Sequence, residues 1–555
     1  MPNMRGSDFI AQTIDSHGIT HVFLVPVILR ETMSKLEDLG IEHVITHSEK
    51  AAAYMADGYA RIRQAPGICL AQSVGASNLA AGLQDAFLGL SPVIAITGRS
   101  PLSHLHKNAY QEIDHIQPFE AITKYSVNVE TPDQLPGYLR QAFRETISGT
   151  SLPVHLDLQG IRGEFIEEFE LDAHPGAEPD FMQRPAFRPE PEQDRILEFL
   201  KLVTESQKPV FVAGGGVVYS GAQQELLDLA ETLSIPVATS MNAKGSIPET
   251  HTLSVGVCGT YSREAANRVV SEADLVIFLG SQTGSQVTHF WQVPTPNTKV
   301  IHVDIDPSEL GRNYSSVLNV QADIKATLRK LLQIAEPVHR TEWNQEICSI
   351  VSRWREEVAP LLTSSQQPIL PERLCSAINT VLPQNGALVV DTGHAGIWTA
   401  SMMDLVGPTQ SYLRAAGSLG WGFPASLGAK CGAPERPVVC FTGDGGFWYH
   451  ISELETAVRY GINTVTVVNN NNALSQNRRG DTVTYERLGK NPNSLSDFSP
   501  TNFAVIAESM GATGFRVEDP QDLEETIQQA LELDRPVVID VLTDVNQSAP
   551  APWVP

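Results

Sequence analysis

The sequence alternates between short apolar runs and amphipathic segments along almost its whole length. Runs such as PVIAITG (92–98) and VVCFT (438–442) consist mainly of aliphatic and β-branched residues, a composition typical of strands buried on both faces of a sheet. The segments between such runs carry apolar residues at helical spacing, as do Ile451, Leu454 and Val458. Strands that alternate with helices in this way predict an α/β fold of doubly wound parallel sheets.

This pattern recurs in three blocks, as expected of a 555-residue chain that is too long for a single hydrophobic core. We predict a first α/β domain at 1–166, a central one at 196–335 and a third at 373–555. The stretch 167–195 is acidic, rich in proline and without a sustained period, which predicts a linker. The stretch 336–372 has a mostly helical pattern and predicts a connector.

Composition narrows the classes of partner. The formal net charge of −25 and the pI near 5.0 argue against nucleic acids and anionic membranes, because both bind clustered lysines and arginines. None of the six cysteines forms a CxxC pair, so we expect reduced structural thiols. The sequence shows no signal-type apolar run and no uninterrupted apolar stretch of about 18 residues. We therefore expect a cytoplasmic protein without membrane contact.

The segment 438–476 carries the strongest chemical signal. Its first strand ends in Gly443-Asp444-Gly445-Gly446, and a helix and a second strand (464–468) lead to the asparagines 469–472. Parallel strands joined by a right-handed crossover end at the same edge of the sheet, so Asp444 and the asparagines should share one crevice. Carboxylate, amide and carbonyl oxygens suit Mg²⁺, and Gly445 and Gly446 leave room for a diphosphate. A plain strand–helix–strand unit with an Asn-rich turn is the alternative.

These residues resemble the diphosphate-binding motif of thiamine diphosphate (ThDP) enzymes, which has GDG, a helix, a strand and an Asn pair. The resemblance implies that Asp444 and Asn471 bind the metal and that the main-chain carbonyl of Ala473 is its third ligand. Asn469 and Asn472 are additional to the motif. Because the resemblance extends over nearly the whole chain, it implies a pyrimidine-binding first domain, a central domain and a diphosphate-binding third domain.

The first domain contains two further motifs of this family. HSEKAAAYMADGYAR places Glu49 where ThDP enzymes have the glutamate that bonds N1′ of the aminopyrimidine and drives proton relay. A capping charge at a helix start would be the plainer role. NAYQEIDH resembles a loop of acetolactate synthases whose glutamine, here Gln111, reaches the reacting carbonyl; a solvated polar loop is the alternative. His47 and His115 are candidate proton carriers, although lone histidines are more often structural.

Two segments of the third domain complete the resemblance. GALVVDTGHAGIW places Gly393 and His394 in the loop that holds the diphosphate, and GSLGWGFPASLGAK places Leu419 beneath the cofactor. A large apolar side chain there implies the bent cofactor that brings its amino group close to C2. Gly417 is implied to present its carbonyl to the aminopyrimidine. In the family the glutamate and the diphosphate site come from different subunits, which implies at least a homodimer and favours a homotetramer.

The central domain departs from the acetolactate synthases, which bind FAD there with an arginine-containing GARFDDR segment. This chain has GSQTGSQ instead, with Gln282 and Gln286 at the arginine positions, and the turn Gly214-Gly215-Gly216 is weak evidence for a ligand. FAD is therefore doubtful. An ADP or CoA-adenosine site, as in the related oxalyl-CoA decarboxylases, is an alternative, and an empty or structural domain is slightly favoured.

The resemblance implies ThDP- and Mg²⁺-dependent decarboxylation of a 2-oxo acid and transfer of the remaining fragment to a carbonyl acceptor. Acetolactate synthases hold a second oxo acid with cationic residues, whereas the matching positions here are Gln159, Gln282 and Gln286. We therefore expect an acetolactate-synthase-like carboligase or decarboxylase, with an aldehyde or another neutral acceptor favoured. A 2-hydroxyacyl-CoA lyase or oxalyl-CoA decarboxylase-like enzyme is the alternative. A non-catalytic regulatory subunit is disfavoured because Glu49 is intact.

Overall fold

Three six-stranded sheets organise the chain, and every pairing within them is parallel. The computed structural model describes residues 3–407 and 409–555. Each sheet is flanked by helices, so the predicted fold class of three α/β domains is confirmed. All six cysteines are free in the structure. Within the described ranges, no helix is both long enough and apolar enough to cross a membrane.

The first sheet has the strand order β3-β2-β4-β5-β7-β6. Its strands and the short strand that precedes them are β1 (Asn3–Arg5), β2 (His21–Leu24), β3 (Glu42–Ile45), β4 (Gly67–Ala71), β5 (Val93–Arg99), β6 (Tyr125–Val129) and β7 (Val154–Gln159). The helices of this region are α1 (Gly6–Ser16), α2 (Arg30–Asp38), α3 (Glu49–Arg63), α4 (Ala76–Leu88), α5 (Ile116–Glu120), α6 (Leu135–Ile147) and α7 (Glu164–Glu167). Fully buried strands such as β4 explain the continuous apolar runs.

The predicted linker 167–195 is not wholly irregular. Residues Glu170–Asp172 form strand β8, which pairs antiparallel with β1, so that Arg5 lies opposite Glu170. Strands of three residues have no detectable period, which is why the pattern of hydrophobic residues missed them. This pairing ties the start of the linker to the residues just before α1.

The second sheet has the order β11-β10-β9-β12-β13-β14. Its strands are β9 (Pro209–Ala213), β10 (Val237–Thr239), β11 (Ser254–Val257), β12 (Leu275–Leu279), β13 (Lys299–Asp304) and β14 (Leu318–Gln321). The helices around it are α8 (Gln193–Glu205), α9 (Gly215–Ser220), α10 (Gln223–Leu233), α11 (Glu264–Glu272), α12 (Ser285–Thr288) and α13 (Ile324–Ile334). A 22-residue helix, α14 (Thr341–Leu362), then runs through the predicted connector.

The third sheet has the order β16-β15-β17-β18-β20-β19. Its strands are β15 (Ala387–Val390), β16 (Ser411–Arg414), β17 (Val438–Gly443), β18 (Val465–Asn470), β19 (Thr513–Val517) and β20 (Val537–Leu542). The helices are α15 (Pro371–Val381), α16 (His394–Met402), α17 (Gly422–Gly432), α18 (Asp444–Tyr449), α19 (Glu453–Tyr460), α20 (Arg478–Arg487), α21 (Phe503–Ser509) and α22 (Leu523–Glu532). Helix α18 was not predicted. His450, with φ of −139°, ends it and separates it from α19.

Two close contacts join the first and third sheets. Helix α3 packs along α17, and a Cβ on Gly58 would overlap the carbonyl of Ala425, while one on Gly428 would overlap the carbonyl of Met55. The glycines therefore let the two helix backbones meet directly. This contact brings the helix that begins at Glu49 against the helix that follows the Leu419 segment.

The central domain holds the far end of α16 through buried cations. The Lys244 ammonium donates to Glu249 (2.6 Å) and to the carbonyl of Met403 (2.6 Å), and Arg263 Nε donates to the carbonyl of Ser401 (2.9 Å). These carbonyls lie at the C-terminal end of α16, where the helix leaves acceptors unpaired and favours positive charge. Because α16 begins at His394, the central domain helps to fix the loop expected to hold the diphosphate.

Candidate active site

Asp444 and the asparagine cluster lie at one edge of the third sheet, as predicted. Strands β17 and β18 are neighbours, with Gly443 opposite Asn469. The buried Asp444 carboxylate accepts the backbone N–H of Gly445 (2.6 Å) and of Ala473 (3.1 Å). Burial raises the pKa of Asp444 to about 6, because the ionised form has lost its water. A bound cation would compensate for that loss.

The four asparagines differ in what their side chains contact. Three of them bond within the fold: Asn469 to Thr543, Asn470 to Asp540, and Asn472 to the backbone N–H of Thr501. Asn471 donates to Ser475 Oγ (3.2 Å), but its Oδ1 is buried without a hydrogen-bond partner among the described residues. A buried acceptor without a partner costs free energy, so Asn471 is the one member of the cluster whose oxygen fits a cation.

The loop before α16 provides the second wall of this crevice. Gly393 adopts φ +71° and ψ −142° immediately before the helix, and His394 Nδ1 lies 3.0 Å from Ser475 Oγ. Since Ser475 also accepts from Asn471, one hydroxyl connects the predicted metal ligand to the predicted diphosphate loop. Burial lowers the pKa of His394 to about 4, so its ring is neutral at pH 7.

Gly445 and Gly446 have no room for side chains. A Cβ on Gly446 would lie 2.6 Å from Asp391 Oδ2, and one on Gly445 would lie 2.5 Å from a methyl group of Leu474. The backbone of these two residues is therefore packed against the walls of the crevice. Both residues lie in the first turn of α18, beside Asp444.

The turn that carries Leu419 depends on Asp391, which the sequence analysis did not single out. The buried Asp391 carboxylate accepts four hydrogen bonds, from the backbone N–H of Thr392 (2.7 Å), Gly420 (3.1 Å) and Gly422 (3.3 Å) and from the hydroxyl of Thr442 (3.1 Å). Gly420 has φ +86°. Asp391 thus joins the ends of β15 and β17 to the Leu419 turn. The signal available in the sequence was a carboxylate directly after a buried strand.

A cavity of about 320 Å³, which we call the cofactor-side cavity, lies beside Leu419. It is lined by Tyr261, Gln286, Thr392, Arg414, Ala416, Gly417, Leu419 and Gln476. The central domain contributes Tyr261 and Gln286, and Tyr261 accepts from Gln476 (3.1 Å). Among the described residues, none from 1–166 lines this cavity, so Glu49 does not face it within one chain.

Glu49 is the first residue of α3, and its carboxylate is held by the segment 73–78. Asn78 donates to one carboxylate oxygen (2.8 Å), and Gly75 packs so closely against the other that a Cβ would overlap it. Gln111 has φ +58°, and its backbone carbonyl accepts from Ser73 Oγ (2.7 Å). The side-chain Oε1 of Gln111 is buried without a partner among the described residues. The segment 73–78 therefore contacts both Glu49, through its carboxylate, and Gln111, through its backbone.

The two candidate histidines have different environments. His47 is exposed, and its Nε2 pairs with Glu455 on α19 at 2.7 Å. His115 is buried, with Nδ1 3.2 Å from both oxygens of Asp157, and its Nε2 has no partner among the described residues. Thr97 also donates to Asp157 (2.7 Å). No hydrogen bond joins either ring to Glu49 in the described part of the chain.

Asp85 on α4 anchors the backbone that leads to Leu419, and the sequence analysis missed it. Its buried carboxylate accepts the N–H groups of Ala416 (2.8 Å), Gly417 (3.1 Å) and Ser418 (2.9 Å). No described residue donates to the carbonyl of Gly417, so that carbonyl is available to a ligand. The first domain therefore positions the segment expected to contact the aminopyrimidine.

A second cavity of about 370 Å³, the central cavity, lies at the carboxyl ends of the second sheet. Gly215, Gly216, Gln282, Gln286 and Asp304 are among its lining residues. Burial raises the pKa of Asp304 to about 7.

The linker adds a cation to the central cavity that sequence comparison did not reveal. Arg184 lines it and is 7% exposed; Nη2 donates to the carbonyl of Leu90, whereas Nη1 has no partner among the described residues. Burial lowers the pKa of Arg184 to about 10. The central cavity thus has a guanidinium available to an anion. It comes from Arg184 of the linker, whereas Gln282 and Gln286 are uncharged.

A glycine-bordered carboxylate and a buried asparagine oxygen without a described partner, at the edge of a parallel sheet, fit a diphosphate cofactor and its metal. Family models of thiamine pyrophosphate (ThDP) enzymes match the chain at residues 4–117 (N-terminal TPP binding domain), 196–331 (central domain) and 391–541 (C-terminal TPP binding domain). The chain therefore belongs to this family.

Curated relatives narrow the family further. The chain is 32% identical to the probable acetolactate synthase large subunit of Methanocaldococcus jannaschii, over 99% of this chain and 93% of the relative. It is 29% identical to the acetolactate synthase isozyme 1 large subunit of Escherichia coli, over 99% and 96% of the two chains. It is 30% identical to the acetolactate synthase large subunit of Corynebacterium glutamicum, over 97% of this chain and 87% of the relative. The protein is thus an acetolactate-synthase-like ThDP enzyme of the carboligase and decarboxylase class.

Replacement of Asp85 by Asn tests whether the first domain positions the cofactor segment. Asn keeps the shape but directs an NH₂ group toward backbone donors, so we expect Asp85→Asn to weaken ThDP binding about tenfold or more. Calorimetric titration with ThDP in the presence of Mg²⁺ measures this. The control is Asp38→Asn, at an exposed position at the end of α2. Equal affinity of both variants would show that Asp85 does not position the segment.

Proposed function

We propose that this chain catalyses decarboxylation of a 2-oxo acid and transfer of the remaining fragment to a carbonyl acceptor. One observation carries the proposal: the chain holds both Glu49, fixed by Asn78 and Gly75, and the buried Asp444 beside Asn471, whose buried Oδ1 has no partner among the described residues. The names of the acetolactate synthase relatives support the same activity. When bound, ThDP supplies the nucleophilic carbon and accepts the electrons released with CO₂.

The chain's own residues bind and orient in this proposal. When the cofactor is bound, Glu49 would hold its aminopyrimidine by a hydrogen bond, and the carbonyl of Gly417 would accept another from it. Leu419, which lines the cofactor-side cavity, would lie against the cofactor and help to fix its orientation. The backbone at Gly393 and the neutral His394 meet the diphosphate. Gln111, with its Oε1 unpartnered among the described residues, is placed to reach the reacting carbonyl.

Mg²⁺ is part of this proposal. Asp444, Asn471 and the carbonyl of Ala473 offer only oxygen ligands, and Mg²⁺ completes its octahedron with water and diphosphate oxygens. The bonds that occupy Asn469, Asn470 and Asn472 leave Asn471 as the amide ligand. One carboxylate against a divalent ion leaves net positive charge to attract the diphosphate.

Two chains are needed for one site in this proposal. Leu419 lines a cavity to which none of the described residues of the first domain contributes, whereas Glu49 lies on the first domain. Glu49 of a second copy would close the cavity, so we propose a homodimer as the smallest active unit and a homotetramer as the assembly. In this unit Asp85 acts within its own chain, because it holds Gly417 through the backbone.

The alternative activity is that of a 2-hydroxyacyl-CoA lyase or an oxalyl-CoA decarboxylase-like enzyme. Arg184 Nη1 in the central cavity, which has no partner in the described part of the chain, favours it, because a guanidinium fits a phosphate. Asp304 and Glu309 in the same cavity suit ribose hydroxyls. A silent regulatory subunit would have no use for Glu49 fixed by Asn78.

Product analysis tests the function. We expect the Mg²⁺- and ThDP-loaded protein to release CO₂ from at least one of a panel of 2-oxo acids and to form a new carbon–carbon bond with a 2-oxo acid or an aldehyde. Mass spectrometry of the products measures this. Turnover of a 2-hydroxyacyl-CoA with no CO₂ from any 2-oxo acid would favour the alternative, and the Glu49→Gln protein is the matched control for background reactions.

Glu49→Gln should bind ThDP but slow its activation. The amide preserves a hydrogen bond yet cannot relay a proton, so we expect exchange of the cofactor's C2 proton into D₂O to slow by about 100-fold or more. Quenched NMR measures the exchange. Glu455→Gln, which removes a surface charge paired with His47 and Arg459, should exchange at the wild-type rate. A wild-type rate in Glu49→Gln would remove Glu49 from the mechanism.

Loss of a metal ligand should lower cofactor retention. Asp444→Ala and Asn471→Ala each remove one of few protein ligands, so we expect both to lose ThDP during gel filtration, whereas Asn463→Ala should retain it. Among the residues that the structure describes, the Asn463 side chain bonds to Asp534 alone, in an exposed pair. The measurement is bound ThDP per chain by calorimetry or absorbance. Unchanged retention in both site variants would contradict the metal assignment.

Purified protein should lack stoichiometric FAD. A flavin dinucleotide carries a diphosphate that arginine forks bind well, and the segment 280–287 offers Gln282 and Gln286 instead. The central cavity, at about 370 Å³, lies near the lower end of common ligand pockets. The absorbance spectrum after gel filtration measures this. One flavin per chain that survives gel filtration and is required for turnover would overturn the expectation.

A further inference from the structure

Tyr261 reaches the cofactor-side cavity from the loop between β11 and α11 of the central domain. Its phenol oxygen accepts a hydrogen bond from Gln476 Nε2 (3.1 Å), and both residues line this cavity together with Leu419. A phenol also has one proton to donate, and no residue in the described part of the chain accepts it. The hydroxyl is therefore a donor without a partner at the wall of the cavity.

The loop that carries Tyr261 is fixed by its neighbours. The backbone N–H of Thr260 donates to the carbonyl of Gln286 (2.7 Å). The backbone N–H of Gly259 donates to Asn267 Oδ1 (2.8 Å). The ring of Tyr261 packs against a small cluster of buried apolar side chains, Met241, Val257 and Ala400. A side chain held in this way keeps its hydroxyl in one place during a reaction, without reordering.

Gln476 sets the direction of the phenol. A Cβ on Gly393 would lie 2.8 Å from Gln476 Oε1, so this amide lies against the loop expected to hold the diphosphate. Its Nε2 occupies one lone pair of the Tyr261 oxygen, and a hydroxyl whose oxygen accepts a hydrogen bond becomes a stronger donor. Because Gln476 is itself the donor in this contact, the phenol proton points away from it.

The rest of the wall offers further donors. Gln286 contributes a side-chain amide and Thr392 a hydroxyl, and none of the described residues that line the cavity is Asp or Glu. Donors without a neighbouring carboxylate suit an oxygen that gains negative charge during a reaction. A carbonyl oxygen gains such charge when its carbon is attacked, so this wall fits a reacting carbonyl.

The origin of Tyr261 favours a role toward the substrate. Glu49 and Leu419, which are expected to hold the cofactor, lie in the two regions that match TPP binding domains. Tyr261 lies in the region that matches the central domain. The donor 2-oxo acid reacts in contact with the cofactor, whereas the acceptor depends on the protein alone for its position. A protein group on the central-domain side is therefore best used by the acceptor.

We propose that Tyr261 is a catalytic residue that donates a hydrogen bond to the acceptor's carbonyl oxygen while the new carbon–carbon bond forms. Gln476 acts through it as a positioning residue. This inference rests on the proposed carboligase function. It holds for an aldehyde and for a 2-oxo acid as acceptor, because both present a carbonyl oxygen.

The transfer takes up one proton at that oxygen. The donor's bond to its carboxylate breaks, CO₂ leaves, and the electron pair that stays behind forms the bond to the acceptor's carbonyl carbon. The acceptor's oxygen takes the π electron pair of its carbonyl and the phenol proton, which Tyr261 recovers from solvent on the side where Gln476 is exposed. The net reaction converts a 2-oxo carboxylate, a carbonyl acceptor and one proton into CO₂ and a 2-hydroxy ketone.

Tyr261→Phe removes the hydroxyl and keeps the ring, so it tests this role directly. The donor is the 2-oxo acid of the panel that releases CO₂ fastest, and the acceptors are propanal and 2-oxobutyrate. We expect the ratio of ligated product to free aldehyde from the donor, which we call the ligation ratio, to fall about tenfold or more with both acceptors. CO₂ release in a single turnover without acceptor should stay within about twofold. Mass spectrometry measures the ratio, and quenched flow measures the release. The control is Tyr138→Phe, because Tyr138 lies on α6 and is not among the residues that line either cavity.

Calorimetry separates a role toward the substrate from one toward the cofactor. ThDP affinity in the presence of Mg²⁺ should stay within about twofold in Tyr261→Phe, because other residues hold the cofactor. Gln476→Leu should lower the ligation ratio less than Tyr261→Phe does. Adding Gln476→Leu to Tyr261→Phe should lower it no further, because Gln476 acts through the hydroxyl. Losses that multiply in the double variant would overturn the positioning role of Gln476.

An unchanged ligation ratio in Tyr261→Phe would overturn the proposal. Single-turnover CO₂ release slowed about tenfold would also overturn it, because the hydroxyl would then act on the donor. A ThDP affinity about tenfold weaker, with the ratio unchanged, would assign the hydroxyl to the cofactor instead. If the wild-type protein releases no CO₂ from any 2-oxo acid, or joins neither acceptor, the proposed function fails and this inference with it. Normal CO₂ release and ligation in wild type, with no change in Tyr261→Phe, rejects only the role of Tyr261.

Discussion

The active-site geometry depends on a buried group of charges between the first and third domains. Asp57 and Asp85 are fully buried and share Arg61, which binds Asp57 through two hydrogen bonds and approaches Asp85 at 3.3 Å. Two carboxylates and one guanidinium leave a negative charge that must be compensated inside the protein. The indole N–H of Trp421 (2.9 Å) and the backbone N–H groups of 416–418 supply the remaining donors. The backbone on both sides of Leu419 is held in place because its N–H groups donate to the buried carboxylates.

The central domain is connected to the site in a similar way, by side chains that donate to unpaired carbonyls at a helix end. Lys244 and Arg263 donate to the last carbonyls of α16, and the first residue of that helix, His394, bonds Ser475 beside Asn471. Each domain thus contributes a contact that lies away from the reacting groups. This contact fixes one wall of the cofactor site. Such supports determine whether groups at a site stay within the small tolerances that catalysis needs.

Periodicity and motif spacing predicted the three sheets and the edge where Asp444 meets the asparagines, because these depend on local pattern and on the handedness of the crossover. The motif pointed to Asn471 among the asparagines 469–472, but the sequence does not show which of them has an acceptor to spare, because that depends on partners such as Thr543 and Asp540, which are distant in sequence. The break at His450 was missed for a similar reason, since its ring bonds the carbonyl of Gly420.

The cationic residues show the clearest limit of position-by-position comparison. Gln282 and Gln286 suggested that the central domain had lost the charges that hold an anion. Arg184, from the linker, and Arg414, from an edge strand, line the cavities that those glutamines also line. Electrostatic recognition requires only that a charge reach a given place, and a guanidinium on a long side chain can reach it from several elements. A missing motif residue therefore lowers the number of cations at a site, but it does not by itself exclude an anion there.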